Sequence, residues 1–291
     1  GVFLGGVPST RDPSFAEHRW FNTFPFFRTL QLMISLRDYR ERWRRTFRHR
    51  AKTFIGARPA LFFPIFRRRS TFDSLLVHPG TDICIEGFPR SANSFAAGAF
   101  EQAQQQPVQI AHHTHVPANA MRACEWGIPT LVLIRAPHAA IVSVIALSKE
   151  TQLVNRTVES PIQYISFHDW VHAWLTFYQS LLPYRERIVI APFEEVIQGM
   201  GAIIQRVNIR FGTDFDIFHH TEEAVRDVHA KRGYHAGPSQ RRKSLKQGVQ
   251  ADLDEALRRD ESLQAKIEEA DSLHSTFLSS CSAEMREYDR P

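Results

Sequence analysis

Three short segments of the chain carry side chains that could bind an anion and move a proton beside it. The first is a loop, residues 87–95, which reads Gly-Phe-Pro-Arg-Ser-Ala-Asn-Ser-Phe and follows an apolar run at 83–85. The second contains His115, a side chain that can accept a proton near neutral pH. The third pairs Arg135 with Ser143, a cation and a hydroxyl that can both contact one phosphate. Of the three, the loop is the segment whose own pattern suits a phosphate or sulfate, whereas an arginine after a strand could also be an ordinary surface residue.

The loop is suited to anions but lacks the lysine of nucleotide-binding loops. A strand, a glycine-containing turn and a helix in this order aim backbone N–H groups and a helix N-terminus at one point. Against the pattern G-x-x-x-x-G-K-[ST], Gly87 is the first glycine, Ala92 replaces the second, Asn93 replaces the lysine and Ser94 keeps the hydroxyl. Arg90 supplies a cation three residues earlier. We therefore predict an anion loop that does not grip the β- and γ-phosphates of ATP or GTP.

His112, His113 and His115 form a cluster that resembles a metal site at first sight. On a strand, His113 and His115 would point the same way and His112 the opposite way, and no nearby Cys, Asp or Glu completes a ligand set. We therefore predict no metal here. Taken alone, His115 could equally be a strand-end histidine that hydrogen-bonds to a neighbouring loop.

These segments need a scaffold that brings them together, and the order of strand-like and helix-like stretches provides one. Residues 130–134 are almost continuously aliphatic, as expected for a parallel strand covered on both faces. Alternating strands and helices predict a parallel sheet, in which the strand ends next to the first strand converge on a ligand. Further strands are predicted at 107–115 and 187–193, and helices at 117–126, from 137 onward and at 161–182.

The loop resembles the 5′-phosphosulfate loop of sulfotransferases that use 3′-phosphoadenosine 5′-phosphosulfate (PAPS). The usual form of that loop is close to Pro-Lys/Arg-Ser-Gly-Asn/Thr-Thr-Trp, and the chain departs from it at Ala92 and Phe95. Residues 113–117, His-Thr-His-Val-Pro, resemble the Lys-Thr-His-Leu-Pro element of the same family. Arg135 and Ser143 follow a buried strand at the spacing of the family's 3′-phosphate element. The resemblance therefore covers the middle of the chain.

This resemblance implies roles for individual side chains. It makes His115 the general base that removes the proton of an acceptor hydroxyl. It places Phe193 where a tyrosine commonly touches the adenine, and Lys231 and Arg232 where a basic segment completes the 3′-phosphate site, with residues 241–243 as a competing candidate. The implied contacts to the nucleotide come from Arg90, Ser91, Ala92, Asn93, Ser94, Phe95, Arg135, Ser143, Phe193, Lys231 and Arg232, with Arg90 also catalytic.

The resemblance also implies a fold and a reaction. The fold is α/β, a three-layer P-loop (nucleoside-kinase-like) arrangement with a mainly parallel central sheet and a helical basic N-terminal extension. The reaction is metal-free, in-line transfer of a sulfuryl group from PAPS to the hydroxyl of a carbohydrate, lipid or small natural product, which leaves 3′,5′-ADP. Two alternatives stay open: a non-catalytic module that binds polyanions or membranes and, less favoured without the loop lysine, a P-loop nucleotide kinase.

The first 80 residues form a basic region that we treat as an extension before an α/β domain at 81–291. They contain 15 Lys and Arg against 5 Asp and Glu, whereas the whole chain carries a formal charge of only +5. Residues 1–27 show no clear period, and residues 29–54 have apolar side chains at helical spacing among arginines. Such a helix could lie on an anionic membrane, guide an anionic acceptor or pack on its own domain.

Length and composition limit the class of protein. The 291 residues, 43% hydrophobic and 23% charged, suffice for one large globular α/β domain with an extension. The three cysteines lack metal-ligand spacing, and their odd number argues against a disulfide framework. No run of about 18 apolar residues predicts a membrane span, and the N-terminal residues do not match a secretory signal. We expect a cytoplasmic protein with contact to the inner membrane surface and no nucleic-acid partner.

Overall fold

The computed structural model describes residues 25–154, 165–232 and 240–288. The helices are α1 (Pro25–Gly56), α2 (Pro59–Phe66), α3 (Asn93–Ala103), α4 (Pro117–Glu125), α5 (Pro137–Val154), α6 (Phe167–Leu181), α7 (Phe193–Phe211), α8 (Glu222–Arg232), α9 (Gln240–Arg259) and α10 (Glu261–Tyr288). The strands are β1 (Ile83–Gly87), β2 (Ile110–His112), β3 (Thr130–Ile134) and β4 (Val189–Pro192).

The four strands form one parallel sheet in the order β2-β1-β3-β4. Ile85 pairs with His112 on one side of β1, and Gly87 pairs with Leu133 on the other. Every residue of β1 and β3 is buried, because helices cover both faces of the sheet. The predicted α/β class with a mainly parallel sheet is confirmed.

Alternate side chains of the strands enter two separate apolar cores. Cys84 and Val132 pack with α4, α5, α6 and α10 on one face of the sheet, where Trp174 is fully buried. Ile85 and Leu133 pack with α3, α7 and α8 on the other face. The loop after β1 therefore leaves the sheet between two helical layers, at the edge where the carboxyl ends of the strands meet.

β2 and α6 are among the elements whose observed extent differs from the predicted one. The strand predicted at 107–115 is only the three residues of β2, because the backbone at His113 and His115 turns to positive φ angles of 61° and 55° and leaves the extended conformation. The helix predicted at 161–182 begins at Phe167, where the Ser166 hydroxyl accepts a hydrogen bond from the Asp169 N–H at 3.1 Å. Residues 161–164 lie outside the described ranges.

Part of the basic N-terminal region packs directly on the sheet domain. α1 contains the whole helix predicted at 29–54, and Arg50 pairs with Asp169 of α6 at 2.7 Å. Phe62 and Phe63 of α2 are buried in the first core. The segment predicted to be irregular, residues 1–27, lies outside the described ranges except for 25–27, which belong to α1. In the described part of the chain, no helix combines the length and apolarity needed to cross a membrane.

Candidate functional site

The loop between β1 and α3 is built around Gly87 and Asn93. A β-carbon on Gly87 would lie 2.7 Å from the carbonyl oxygen of Leu133 on the neighbouring strand, so only glycine fits there. The Asn93 amide donates to the Phe88 carbonyl at 3.0 Å and closes the loop. Asn93 therefore holds the turn together, whereas a lysine at this position would extend towards a ligand.

Backbone strain is concentrated at this loop and at the segment after β2. In the described ranges, four non-glycine residues have positive φ: Arg90 (73°), Ala92 (70°), His113 (61°) and His115 (55°). Each such conformation costs on the order of 1–3 kcal/mol and persists only where surrounding contacts enforce it. All four residues line the same cleft. This clustering marks the cleft as the candidate functional site.

The cleft has a volume of about 1060 Å³ and lies between the loop, α3, α5, α7, α8 and α9. Among the described residues that line it, none is Asp or Glu, so every charged lining side chain is positive; Arg232 and Arg242 pair with Glu101 and Glu150 outside the lining. We call its six cationic side chains the cationic wall: Arg90, Arg135, Arg232, Arg242, Lys243 and Lys246.

Arg90, Arg135 and Ser143 meet at one side of this cleft. The Arg135 Nη1 donates to the Arg90 carbonyl at 3.0 Å, and the Arg90 Nε donates to the Ser143 hydroxyl at 3.2 Å. The Arg135 guanidinium carbon lies 3.8 Å from the ring centre of Phe193, and its buried Nε has no hydrogen-bond partner among the described residues. Arg135 and Ser143 thus both contact Arg90, whereas the sequence predicted that both would contact one phosphate.

The cationic wall holds its charges under mutual repulsion. Burial and the charges of Arg242 and Arg135 lower the pKa of Arg90 to about 10. The pKa of Lys246 is also lowered, first by burial and then by Arg135, Arg90 and Arg242. Arg242 is held in place by an ion pair of 2.6 Å with Glu150, and both side chains are buried. An anion in the cleft would relieve this repulsion.

The histidine segment, residues 112–115, borders the same cleft through His113 and His115, and one buried carboxylate holds it in place. Glu86 accepts hydrogen bonds from the Thr114 N–H at 3.0 Å, the Thr114 hydroxyl at 2.6 Å and the His115 N–H at 3.2 Å. Asn119 donates a fourth bond at 3.0 Å. Burial raises the pKa of Glu86, and these donors oppose that rise. The carboxylate thereby stabilises the two strained histidine conformations.

His115 presents a ring nitrogen that can accept a proton. Its Nδ1 lies 3.2 Å from the Gly87 carbonyl oxygen. A carbonyl only accepts, so Nδ1 carries the hydrogen and Nε2 keeps its lone pair. Burial, together with the charge of Lys52 and the neighbouring His113, lowers the pKa of His115 to about 3. The imidazole is therefore neutral at physiological pH, as a general base must be.

The two other histidines extend this neutral segment. His113 Nε2 lies 2.9 Å from the Ser94 hydroxyl, and His113 Nδ1 contacts His112 Nδ1. Burial is the main cause that lowers the pKa of each to about 4. Within the described ranges, no group of three His, Cys, Asp or Glu residues is arranged to hold a metal ion.

Most of the predicted nucleotide contacts reach the cleft, and three do not. Ser91 and Ser143 are fully buried, and Ser143 acts on the cleft only through Arg90. Lys231 turns away and donates to the Gln102 side chain at 3.2 Å. The predicted residues that line the cleft are Arg90, Ala92, Asn93, Ser94, Phe95, His115, Arg135, Phe193 and Arg232.

Sequence reasoning preferred residues 231–232 over the α9 segment, yet Arg242, Lys243 and Lys246 of α9 all line the cleft. Their spacing of one and four residues places them on one helical face, which was a readable signal. Glu86 was also missed. A carboxylate at the end of an otherwise apolar strand requires buried partners, and this requirement could have identified it.

No protein-family model matches the chain, and comparisons with curated proteins and with solved structures found no match. The residues of the site itself therefore carry the functional information. They define an α/β protein with a polycationic cleft at the carboxyl edge of a parallel sheet. A neutral, oriented histidine lies in the same cleft.

Proposed function

We propose that the protein is a PAPS-dependent sulfotransferase and that its strand-loop-helix unit is a P-loop of that family. The observation that carries this proposal is the meeting of three features in one cleft. These are a loop whose lysine position is occupied by Asn93, the Arg90–Ser143 and Arg90–Arg135 contacts, and the free Nε2 of His115. The loop and arginines suit a nucleotide with several phosphates, and His115 suits a hydroxyl acceptor.

The donor would lie along the cationic wall. The 5′-phosphosulfate would bind the loop N–H groups, Ser94 and Arg90, where the α3 dipole favours negative charge. The 3′-phosphate would bind Arg135, whose buried Nε has no partner among the described residues, and the basic face of α9. The adenine would lie near Phe193.

The transfer step then needs one proton acceptor and a stabilised leaving group. His115 Nε2 takes the proton of the acceptor hydroxyl as the acceptor oxygen bonds to sulfur. The bond from sulfur to the 5′-phosphate oxygen breaks, and its electrons leave on 3′,5′-ADP, stabilised by Arg90 and the loop. The anionic donor opposes the burial and the Lys52 charge that lower the pKa of His115, so donor binding makes His115 a stronger base.

Ligand-dependent thermal unfolding tests the donor assignment. At about 100 times its dissociation constant, a ligand of the native state adds about 2.7 kcal/mol to the free energy of unfolding. We expect 3′,5′-ADP to raise the melting temperature more than Mg-ATP. A larger shift with Mg-ATP would favour a nucleotide kinase, and no shift with either would favour a non-catalytic module.

Substitution of the base tests the mechanism. His115→Ala should lower turnover about 10²- to 10⁴-fold, because general-base catalysis contributes that factor. The variant should still bind 3′,5′-ADP. His138→Ala, on the surface of α5 and outside the cleft, is the matched control and should retain activity. Unchanged turnover in His115→Ala would remove this histidine from the mechanism.

A second proposal, peripheral membrane contact, rests on an exposed face of α1. Tyr39, Trp43, Phe47 and Phe54 are 69%, 62%, 58% and 55% exposed, and Trp43 stacks on Phe47. Their spacing of four, four and seven places them on one helical face. Exposed arginines at 40, 42, 44, 45 and 48 flank this face. Aromatic side chains among arginines suit the interface of an anionic bilayer.

Vesicle co-sedimentation tests this second proposal. Deleting the first 80 residues is unsuitable, since part of that region packs on the sheet domain. Trp43→Ser with Phe47→Ser should instead reduce binding to phosphatidylserine-containing vesicles while 3′,5′-ADP binding is unchanged. Equal binding of the parent to anionic and neutral vesicles, or no loss in the double variant, would contradict the membrane contact.

A further inference from the structure

A second, smaller cavity adjoins His115 on the side of α1. It has a volume of about 80 Å³ and lies between α1, the loop, the start of α4 and α6. Pro89 and His115 line both this cavity and the large cleft. His115 therefore stands between two spaces, one lined by the cationic wall and one that contains only a single lysine among its described lining residues.

The walls of this cavity are mainly aromatic. Phe88 and Trp170 meet edge to face at 6.0 Å, and Phe177 completes the apolar lining. Thr53 and Thr176 add two hydroxyls. At roughly 10–15 Å³ for each water molecule, the cavity has room for about five to eight waters. This is the size of one ring or a short aliphatic segment.

Lys52 of α1 brings positive charge to the cavity. Lys52 is an exposed residue, yet partial burial of its ammonium group lowers its pKa, and the charge of the Glu86 carboxylate opposes that fall. The charge of Lys52 is close enough to lower the pKa of His115. A cation beside an apolar cavity suits a ligand with an anionic group next to an apolar end.

We propose that this cavity is the acceptor subsite, that it takes the apolar, hydroxyl-bearing end of an anionic acceptor, and that Lys52 binds the anionic group. The inference rests on the proposed function. In-line transfer requires the acceptor oxygen opposite the leaving phosphate, and His115 must reach its proton. The small cavity is the described space that shares His115 with the cleft but lacks the cationic wall. The N-terminal helix thus determines acceptor specificity.

A pair of phenols tests the charge preference. The probes are 3-(4-hydroxyphenyl)propionate and its amide, which have the same ring and hydroxyl but differ in charge. Binding to the full chain saturated with 3′,5′-ADP is measured by titration calorimetry, together with turnover from PAPS. We expect the carboxylate to bind about fivefold more tightly than the amide, the advantage of one partly exposed ion pair. The same phenol carboxylate on an acyl chain in neutral vesicles distinguishes a lipid-borne acceptor from a free one.

Variants of α1 locate this preference. Lys52→Met should abolish the advantage of the carboxylate and leave amide binding unchanged, and Lys52→Arg should restore it. Lys266→Met removes a lysine of α10 that lines neither cavity, and it should change neither the ratio of carboxylate to amide affinity nor the amide affinity itself. Melting temperatures show whether each variant is folded.

The outcomes separate the two proposals. If 3′,5′-ADP does not bind, the proposed function fails, whatever the phenols do. If 3′,5′-ADP binds but the carboxylate and the amide bind equally, or neither binds, or Lys52→Met keeps the preference, the acceptor subsite is wrong while the donor assignment stands.

Discussion

The cationic wall and the histidine segment border the same cleft, yet burial affects them in different ways. In the wall, burial crowds like charges, and the pKa of Arg90 falls to about 10 although the group remains charged at pH 7. In the segment, burial lowers the pKa of His115 to about 3 and leaves the ring uncharged. One environment therefore produces a surface that attracts anions and, beside it, a base that is free to accept a proton.

The two regions also differ in how they are held. The wall draws its cations from the loop, the end of β3, α8 and α9, so each contributes a part of the whole. The histidine segment depends on Glu86, which accepts hydrogen bonds from Thr114 and the His115 N–H. A single substitution should therefore disrupt the histidine segment. In the cationic wall, each substitution should lower the affinity for an anion by only part of the total.

Glu86→Gln should have the largest effect. The new amide NH₂ would face N–H donors from Thr114, His115 or Asn119 in a fully buried position. Breaking such a buried charged network costs about 3 kcal/mol or more. We expect that loss of unfolding free energy in urea denaturation, together with loss of turnover.

Glu186→Gln is the control for this substitution, since its side chain is 77% exposed and exposed changes usually stay within about 0.5 kcal/mol. If Glu86→Gln proves as stable as the parent, the carboxylate does not hold the histidine segment.

Arg135→Lys tests the stepwise character of the wall. The substitution removes the planar group that lies over Phe193 at 3.8 Å and donates to the Arg90 carbonyl. A charge-assisted hydrogen bond to phosphate contributes about 1.5–3 kcal/mol, so the affinity for 3′,5′-ADP should fall about 10- to 100-fold. Titration calorimetry measures it, and the free energy of unfolding should change much less than in Glu86→Gln.

Arg122→Lys provides a matched control, because Arg122 of α4 also lies over a ring, 4.7 Å from the centre of Phe63, but outside the cleft. It should leave nucleotide affinity unchanged. Equal losses in the two lysine variants would mean that Arg135 affects the fold and not the ligand.

The pH dependence of stability should distinguish the segment from the wall. His112, His113 and His115 have pKa values of about 4, 4 and 3 in the folded chain, below the value of about 6.5 in an unfolded one. As pH falls from about 6.5 to 4, the unfolded state takes up protons that the folded state does not. Stability is then lost by up to about 1.4 kcal/mol per pH unit for each histidine. Arg90 of the wall, with a pKa of about 10, does not titrate in this window.

His113→Gln isolates one of these contributions. Urea midpoints at pH 7 and pH 5 should differ less in the variant than in the parent. Parallel losses in both proteins would show that His113 is not kept neutral by folding.

Sequence reasoning was most successful where structure is local. β3 was predicted from Thr130 and the four aliphatic residues that follow it, and the loop from Gly87, because a buried run and a required glycine leave a direct mark in the sequence. The shortening of β2 left no such mark. It follows from the left-handed conformations at His113 and His115, which depend on hydrogen bonds that Thr114 and His115 donate to Glu86 on a different strand.

The candidate site, like the fold, was predictable only where its contacts are local in sequence. Arg135 and Ser143 lie eight residues apart around the start of one helix, so their proximity could be anticipated, but their contacts with Arg90 could not. The contribution of α9 depends on packing between segments about 100 residues apart, such as the buried pair of Glu150 and Arg242. Local spacing places the α9 cations on one helical face, but only tertiary contacts decide that this face lines the cleft.

Ala92→Gly should have the smallest effect and the opposite sign. Ala92 caps α3 with φ at 70° and ψ at 20°, a left-handed conformation that its β-carbon disfavours and glycine adopts freely. Glycine should therefore add about 0.5–1 kcal/mol to the free energy of unfolding, although it also increases the entropy of the unfolded chain.

Ala251→Gly, at an exposed position inside α9, should instead cost about 1 kcal/mol, because there the backbone is helical. Urea denaturation of the two variants measures the sign of each change in the free energy of unfolding. The strained residues Arg90 and Ala92 lie in the loop next to the cationic wall, whereas hydrogen bonds to Glu86 stabilise the strained conformations at His113 and His115. If Ala92→Gly gains stability without changing turnover, the loop conformation is retained without help from the alanine. If it loses stability, the methyl group makes a contact whose value exceeds the strain.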